Sequence, residues 1–152
     1  MGWANTNEGP TWVPIINSVE SQLGIPPNLL ARMAFQESSF LPDVIDGTTA
    51  SSAGALGILQ LMPQYFSTVQ VPIPFSTSDT QAQIEQAGQQ LVALYNQFGD
   101  WGDALAGYNA GAGTIQAVLA GTASLPAETY NYVTEILADV PVPGNPPGVL
   151  NA

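Results

Sequence analysis

Apolar residues recur at helical spacing in a series of stretches along this chain, and glycine or proline bounds each of them. Trp12, Ile15, Ile16, Val19 and Leu23 form the first, halted by Gly24 and by Pro26-Pro27. Positions i, i+3, i+4 and i+7 share one face of an α-helix, so such stretches read as amphipathic helices. The proline pair is expected to open a second helix through Leu30, Met33 and Ala34 to Ser39, because proline is tolerated in a first turn. Ser78-Asp79-Thr80-Gln81 has the form of a capping box and predicts the longest helix. Its inner face is Ile84, Ala87, Leu91, Leu94, Tyr95 and Phe98, and Gly99 stops it. Asp100 is expected to cap a helix carrying Trp101, Ala104, Leu105 and Tyr108, and Ile115, Val118 and Leu119 belong to another, ending at Gly121. The last begins at Pro126 and buries Val133, Ile136 and Leu137. Strand-type alternation is absent, although a small hairpin fits the Leu41–Ala53 loop. The expected class is mainly α.

A chain of 152 residues is expected to form one domain. The organisation read from the sequence is an N-terminal extension over residues 1–10, the domain over 11–140, and a loose Pro/Gly-rich tail or linker over 141–152. The net charge of −11 arises from only 9% charged residues, and Arg32 is the sole Lys or Arg. That leaves no electrostatic footprint for nucleic acid and disfavours an anionic membrane. No apolar run approaches the ~20 residues of a membrane span, and no signal peptide is visible. Zero cysteines make the fold independent of redox state and permit an extracellular, periplasmic or virion-borne location. Nothing in the sequence points to an oligomer, so a monomer is expected.

With no histidine and no cysteine, the chain cannot build a Ser-His-Asp triad, a Cys-His dyad or a His/Cys zinc site. Proton chemistry must run on carboxylates. Glu37 is the carboxylate placed for it, because it falls in phase with Leu30, Met33 and Ala34 on the stripe that faces the core. Apolar surroundings favour the protonated form, as in glycosidase acids. The plainer alternative is a helix-end glutamate that reaches into solvent.

Further segments follow in order: G-A-L-G-I-L-Q-L-M-P at 54–63, A-G-Y-N-A-G-A-G at 106–113 and E-T-Y-N-Y-V at 128–133. With Glu37-Ser38-Ser39-Phe40 they resemble the soluble lytic transglycosylases related to goose-type lysozyme, over about residues 26 to 138. The resemblance implies a lysozyme-like fold of the α+β lysozyme superfamily, with a groove for the glycan strands of peptidoglycan. It makes Glu37 the catalytic acid and then base, cleaving the MurNAc–GlcNAc β-1,4 bond with formation of 1,6-anhydro-MurNAc. It assigns Tyr132 to orienting that carboxyl and Ser51, Gln60, Met62, Tyr108 and Asn109 to substrate contact. No metal or cofactor is implied. Most of these residues also have a structural alternative: an ordinary surface serine for Ser51, a capped turn for Gln60, and a core position for Met62, Tyr108 and Tyr132.

The chain departs from the pattern in its longer 40–54 loop, in Tyr130 where arginine is frequent, and in its lack of basic residues. The loop carries Asp43 and Asp46, and either could be the second carboxylate that an inverting hydrolase, such as a goose-type lysozyme or chitinase, needs to activate water. Asp46-Gly47 equally resembles an ordinary turn. A catalytically idle wall-binding or structural phage module is the remaining alternative.

Overall fold

The computed structural model describes residues 2–62, 71–143 and 148–151. Pro63, at the end of the 54–63 segment, and residues 144–147 and 152 of the expected tail lie outside these. The chain is mainly helical and divides into two compact units, Met1–Gly88 and Gln89–Ala152, parted within the longest helix.

In the first unit α1 (Gly9–Leu23) packs against α2 (Leu29–Ser38). The buried faces are Trp12, Ile16 and Val19 of α1 and Leu29, Leu30, Met33 and Ala34 of α2. α2 begins beyond the proline pair, not at it. Asn28 takes a left-handed conformation (φ 71°), and its N–H goes to a side chain of α1 instead of starting the helix. Residues Trp3–Asn5 form a 3-10 turn against both helices, and Trp3 is buried with its ring 6.3 Å from that of Phe35.

The Leu41–Ala53 loop holds a short helix, α3 (Pro42–Ile45), in place of a hairpin. The one isolated β-bridge among the described residues comes later, between Leu56 and Leu61. α4 (Thr77–Phe98) begins earlier than expected. Its capping box is Ser76 with Asp79: the Ser76 hydroxyl accepts the Asp79 N–H at 3.1 Å, and the Asp79 carboxylate accepts the Ser76 N–H at 2.8 Å.

In the second unit α5 (Trp101–Ala110) packs on α6 (Ala112–Leu119) and α7 (Ala127–Asp139). The Asp100 side chain caps α5 as the sequence predicts, accepting the Asp103 N–H at 2.8 Å. Gly107 permits close packing inside this unit, because a Cβ there would meet Leu94 Cδ2 at 3.0 Å. Residues Gly148–Asn151 form a 3-10 turn on α5 and α6, with Val149 buried and its N–H donated at 2.9 Å to the buried carboxylate of Asp103.

Candidate active site

Glu37 occupies the last turn of α2, half-buried, beyond the fully buried Leu30, Met33 and Ala34. The chain then turns sharply. Ser39 and Phe40 are both left-handed, at φ 53° and 55°, although neither is glycine. Each such residue costs about 1–2 kcal/mol, so the turn persists only because its surroundings hold it. Buried Ser38 donates its hydroxyl to Ala34 O at 2.8 Å and accepts the Phe40 N–H at 3.2 Å. Asn7 Nδ2 donates to Ser39 O at 2.9 Å, and the Glu8 N–H donates to Phe40 O at 3.0 Å. Phe40 is fully buried, its ring 5.7 Å from that of Phe35. The N-terminal segment therefore clasps the turn that follows Glu37.

The other end of the same helix is fixed by Glu20 of α1, a residue that the sequence analysis does not single out. Its side chain is 2% exposed. One carboxylate oxygen accepts the Asn28 N–H at 2.9 Å and Asn17 Nδ2 at 2.7 Å, and the other accepts the Ala31 N–H at 2.9 Å. α2 has no capping side chain of its own at Asn28, so α1 supplies the cap. Burial pushes Glu20 above the ordinary carboxylate range, and the hydrogen bonds from Ala31, Asn17 and Asn28 oppose that shift. The sole cation, Arg32, is also buried in α2. It donates to Gln36 Oε1 at 2.8 Å and lies 5.1 Å from the centre of the Phe35 ring.

The 54–62 segment is a tight reversal. Leu56 and Leu61 exchange backbone hydrogen bonds of 2.9 and 3.0 Å, with buried Ile58 and Leu59 inside the turn. Gln60 is left-handed (φ 52°) and half-buried, and its amide Nε2 donates to Gly57 O at 2.9 Å. Gly57 is required there. Its φ is 86°, and a Cβ would run into Gln83 Oε1. That oxygen is buried and lacks a hydrogen-bond partner among the described residues. Ser51 is exposed, and its hydroxyl accepts the Ala55 N–H at 2.9 Å, a turn-closing role. Met62 is half-buried.

The two loop aspartates are engaged close to home. Asp46 Oδ1 accepts the Thr48 N–H at 2.9 Å and the Thr48 hydroxyl at 2.7 Å, which together hold its carboxyl below the ordinary range. Asp43 Oδ2 accepts the Thr49 hydroxyl at 2.7 Å. Both side chains thus brace their own turn.

The remaining candidates belong to the second unit. Tyr108 and Asn109 end α5 half-buried, and Tyr132 is buried on α7. The structure joins Asn109 to α7 through Thr129, whose hydroxyl donates to Asn109 Oδ1 at 2.8 Å. This orients the Asn109 amide so that its NH2 group is left as a donor. Thr129 is 1% exposed. It lies inside the E-T-Y-N-Y-V segment and was the available signal for a residue that holds Asn109. Among the described residues no helix is long and apolar enough to cross a membrane.

Residues 14–131 match the family described as the Transglycosylase SLT domain. Among solved structures the chain is similar to the X-ray structure of an inactive mutant of the lytic transglycosylase Slt from Pseudomonas aeruginosa. The two share 24% sequence identity with a TM-score of 0.63, over 82% of this chain and 22% of that one. The chain thus spans about a fifth of the length of that protein, and the likeness is one of fold, mainly helical and lysozyme-like.

Proposed function

The chain belongs to the Transglycosylase SLT domain family, and from that premise we propose that it cleaves the glycan strands of peptidoglycan with Glu37 as the reacting carboxyl. The observation that carries this reading is the setting of Glu37. It stands half-buried in the last turn of α2, beside a turn of two left-handed non-glycine residues. Costly backbone of this kind persists where position matters. The structural neighbour from Pseudomonas aeruginosa is an inactive glutamate-to-glutamine mutant, which supports a reaction centred on one glutamate.

The chemistry balances on that single group. Protonated Glu37 gives its proton to the glycosidic oxygen between MurNAc and GlcNAc as the C1–O bond breaks. The carboxylate so formed takes the proton of the sugar's own 6-hydroxyl while that oxygen bonds to C1. The product is 1,6-anhydro-MurNAc, Glu37 is protonated again, and no water is consumed. The family pattern assigns Gln60, Met62, Tyr108, Asn109 and Ser51 to the sugar and Tyr132 to orienting the carboxyl, and this reading adopts those roles. Asp43 and Asp46, each satisfied within its own loop turn, are poor candidates to activate water, which favours the transglycosylase over the hydrolase. The enzyme acts outside the cytoplasm or from a virion, where its substrate lies, and a monomer suffices.

The test is mass spectrometry of fragments released from purified peptidoglycan by the protein and by Glu37→Gln. Anhydro-ended fragments that fall about a hundredfold or more in the variant are expected. Reducing ends, one water heavier, would turn the assignment to a hydrolase. No release at all would leave a wall-binding or structural module.

A further inference from the structure

The second unit contains an open, solvent-facing cavity of about 680 Å3, lined largely by exposed residues, for which the proposed reaction has no use. Its volume lies within the ~300–1,000 Å3 typical of small-molecule sites. Leu119, Leu125, Tyr130 and Val149 provide apolar wall, and Ser124 and Asn131 provide polar groups. Tyr130 and Leu119 are 49% and 40% exposed, large apolar surfaces left open to solvent at this cavity. Tyr130 follows the buried Thr129 and precedes the buried Tyr132 by two positions on α7. Successive helical residues are turned by about 100°, so the rings of Tyr130 and Tyr132 leave α7 on nearly opposite sides. The cavity therefore lies away from the α7 face that carries the candidate orienting tyrosine. The carboxyl-terminal turn, docked through the Val149–Asp103 bond, forms part of its wall.

The lining chemistry selects a ligand class. No lining side chain is charged, in a chain of net charge −11, so neither an anion nor a cation finds a partner. A purely aliphatic ligand would bury Asn131 and Ser124 without hydrogen bonds, which costs free energy. A ligand with one apolar face and a polar edge satisfies both kinds of wall. A pyranose ring has that form, with its C–H face laid on an aromatic ring and its hydroxyls directed to an amide and a hydroxyl. We propose that this cavity binds a neutral saccharide, a segment of glycan that is held and not cleaved. The binding needs no carboxylate and is independent of which residue performs the proposed chemistry.

The experiment is a titration of the isotopically labelled full chain, carrying Glu37→Gln, with the neutral N-acetylglucosamine trimer, followed by amide NMR. Saturable shifts are expected at Ser124, Leu125, Asn131 and Leu150. Tyr130→Ala, a change at an exposed side chain, should weaken that titration about tenfold or more while leaving any shifts near Glu37 and Gln60 unaltered. Silence of the cavity amides overturns the proposal, as does a titration that Tyr130→Ala leaves unchanged. Shifts produced there by hexanol and not by the trimer also overturn it, in favour of an apolar ligand. A protein that fails to cleave peptidoglycan yet shows the expected cavity shifts would refute the Glu37 reading alone.

Discussion

Replacing Glu20 with alanine removes the cap on the helix that carries Glu37. The carboxylate accepts two backbone N–H groups of the α2 entry, from Asn28 and Ala31, and the Asn17 amide. A hydrogen bond to a charged group contributes ~1.5–3 kcal/mol net. The desolvation that raises the proton affinity of Glu20 offsets part of that sum. Truncation does not recover the offset fully, because the Ala31 N–H bonded to it is buried and would be left unsatisfied, at ~1–3 kcal/mol. The expected loss for Glu20→Ala is about 3–5 kcal/mol, the usual range for removing one partner of a buried charged set. Glu20→Gln keeps one acceptor oxygen but turns an NH2 group toward a former donor, and about 1–2 kcal/mol is expected. At roughly 2–4 °C per kcal/mol for a chain of this size, alanine should lower Tm by about 10 °C and glutamine by about 4 °C. Circular dichroism at neutral pH measures both. An alanine variant melting within about 2 °C of the parent, or glutamine as damaging as alanine, would refute the capping argument.

Gly57→Ala combines a left-handed backbone with a Cβ that runs into the buried Gln83 side chain, so a loss of about 2–3 kcal/mol is expected, measurable by urea denaturation. Thermal stability should rise as pH falls from neutral toward the ordinary carboxylate range. Burial raises both Glu20 and Asp103 above the ordinary carboxylate range. The folded state therefore binds protons more tightly, and the contribution is full below that range and lost as pH rises through the raised values. Asp46, shifted the other way by Thr48, opposes this only below the ordinary range. Protonation also relieves the self-repulsion of a chain at −11, and a Tm greatest above pH 7 would contradict the reasoning. Asp46→Asn should leave peptidoglycan cleavage within about threefold of the parent, since its carboxylate braces a turn. A loss as deep as that of Glu37→Gln in the fragment assay would instead make Asp46 a participant.

Helical periodicity determined the elements of this protein with little outside help. A 3.6-residue apolar repeat is a property of neighbours along the chain, and Gly24, Gly99 and Gly121 end helices through their own left-handed backbone. The Asp100 cap is likewise local. The place of Glu37 on α2 was legible for the same reason, as a carboxylate in phase with an apolar stripe, and the family segments lie in linear order. The capping box was misplaced by two residues because Ser76 and Ser78 both offer a hydroxyl upstream of a helix, and only the backbone path selects between them. What tertiary structure alone decided is how distant segments supply what α2 lacks. Glu20 caps that helix from α1, and Asn7 and Glu8 hold the carbonyls of a turn more than thirty positions away. Asp103 draws Val149 out of a tail that composition marks as loose. A buried carboxylate and an unpaired N–H carry no mark in sequence that names their partner. They find it only when the chain folds back, because leaving either one dry and unpaired costs more than ordering the segment that satisfies it.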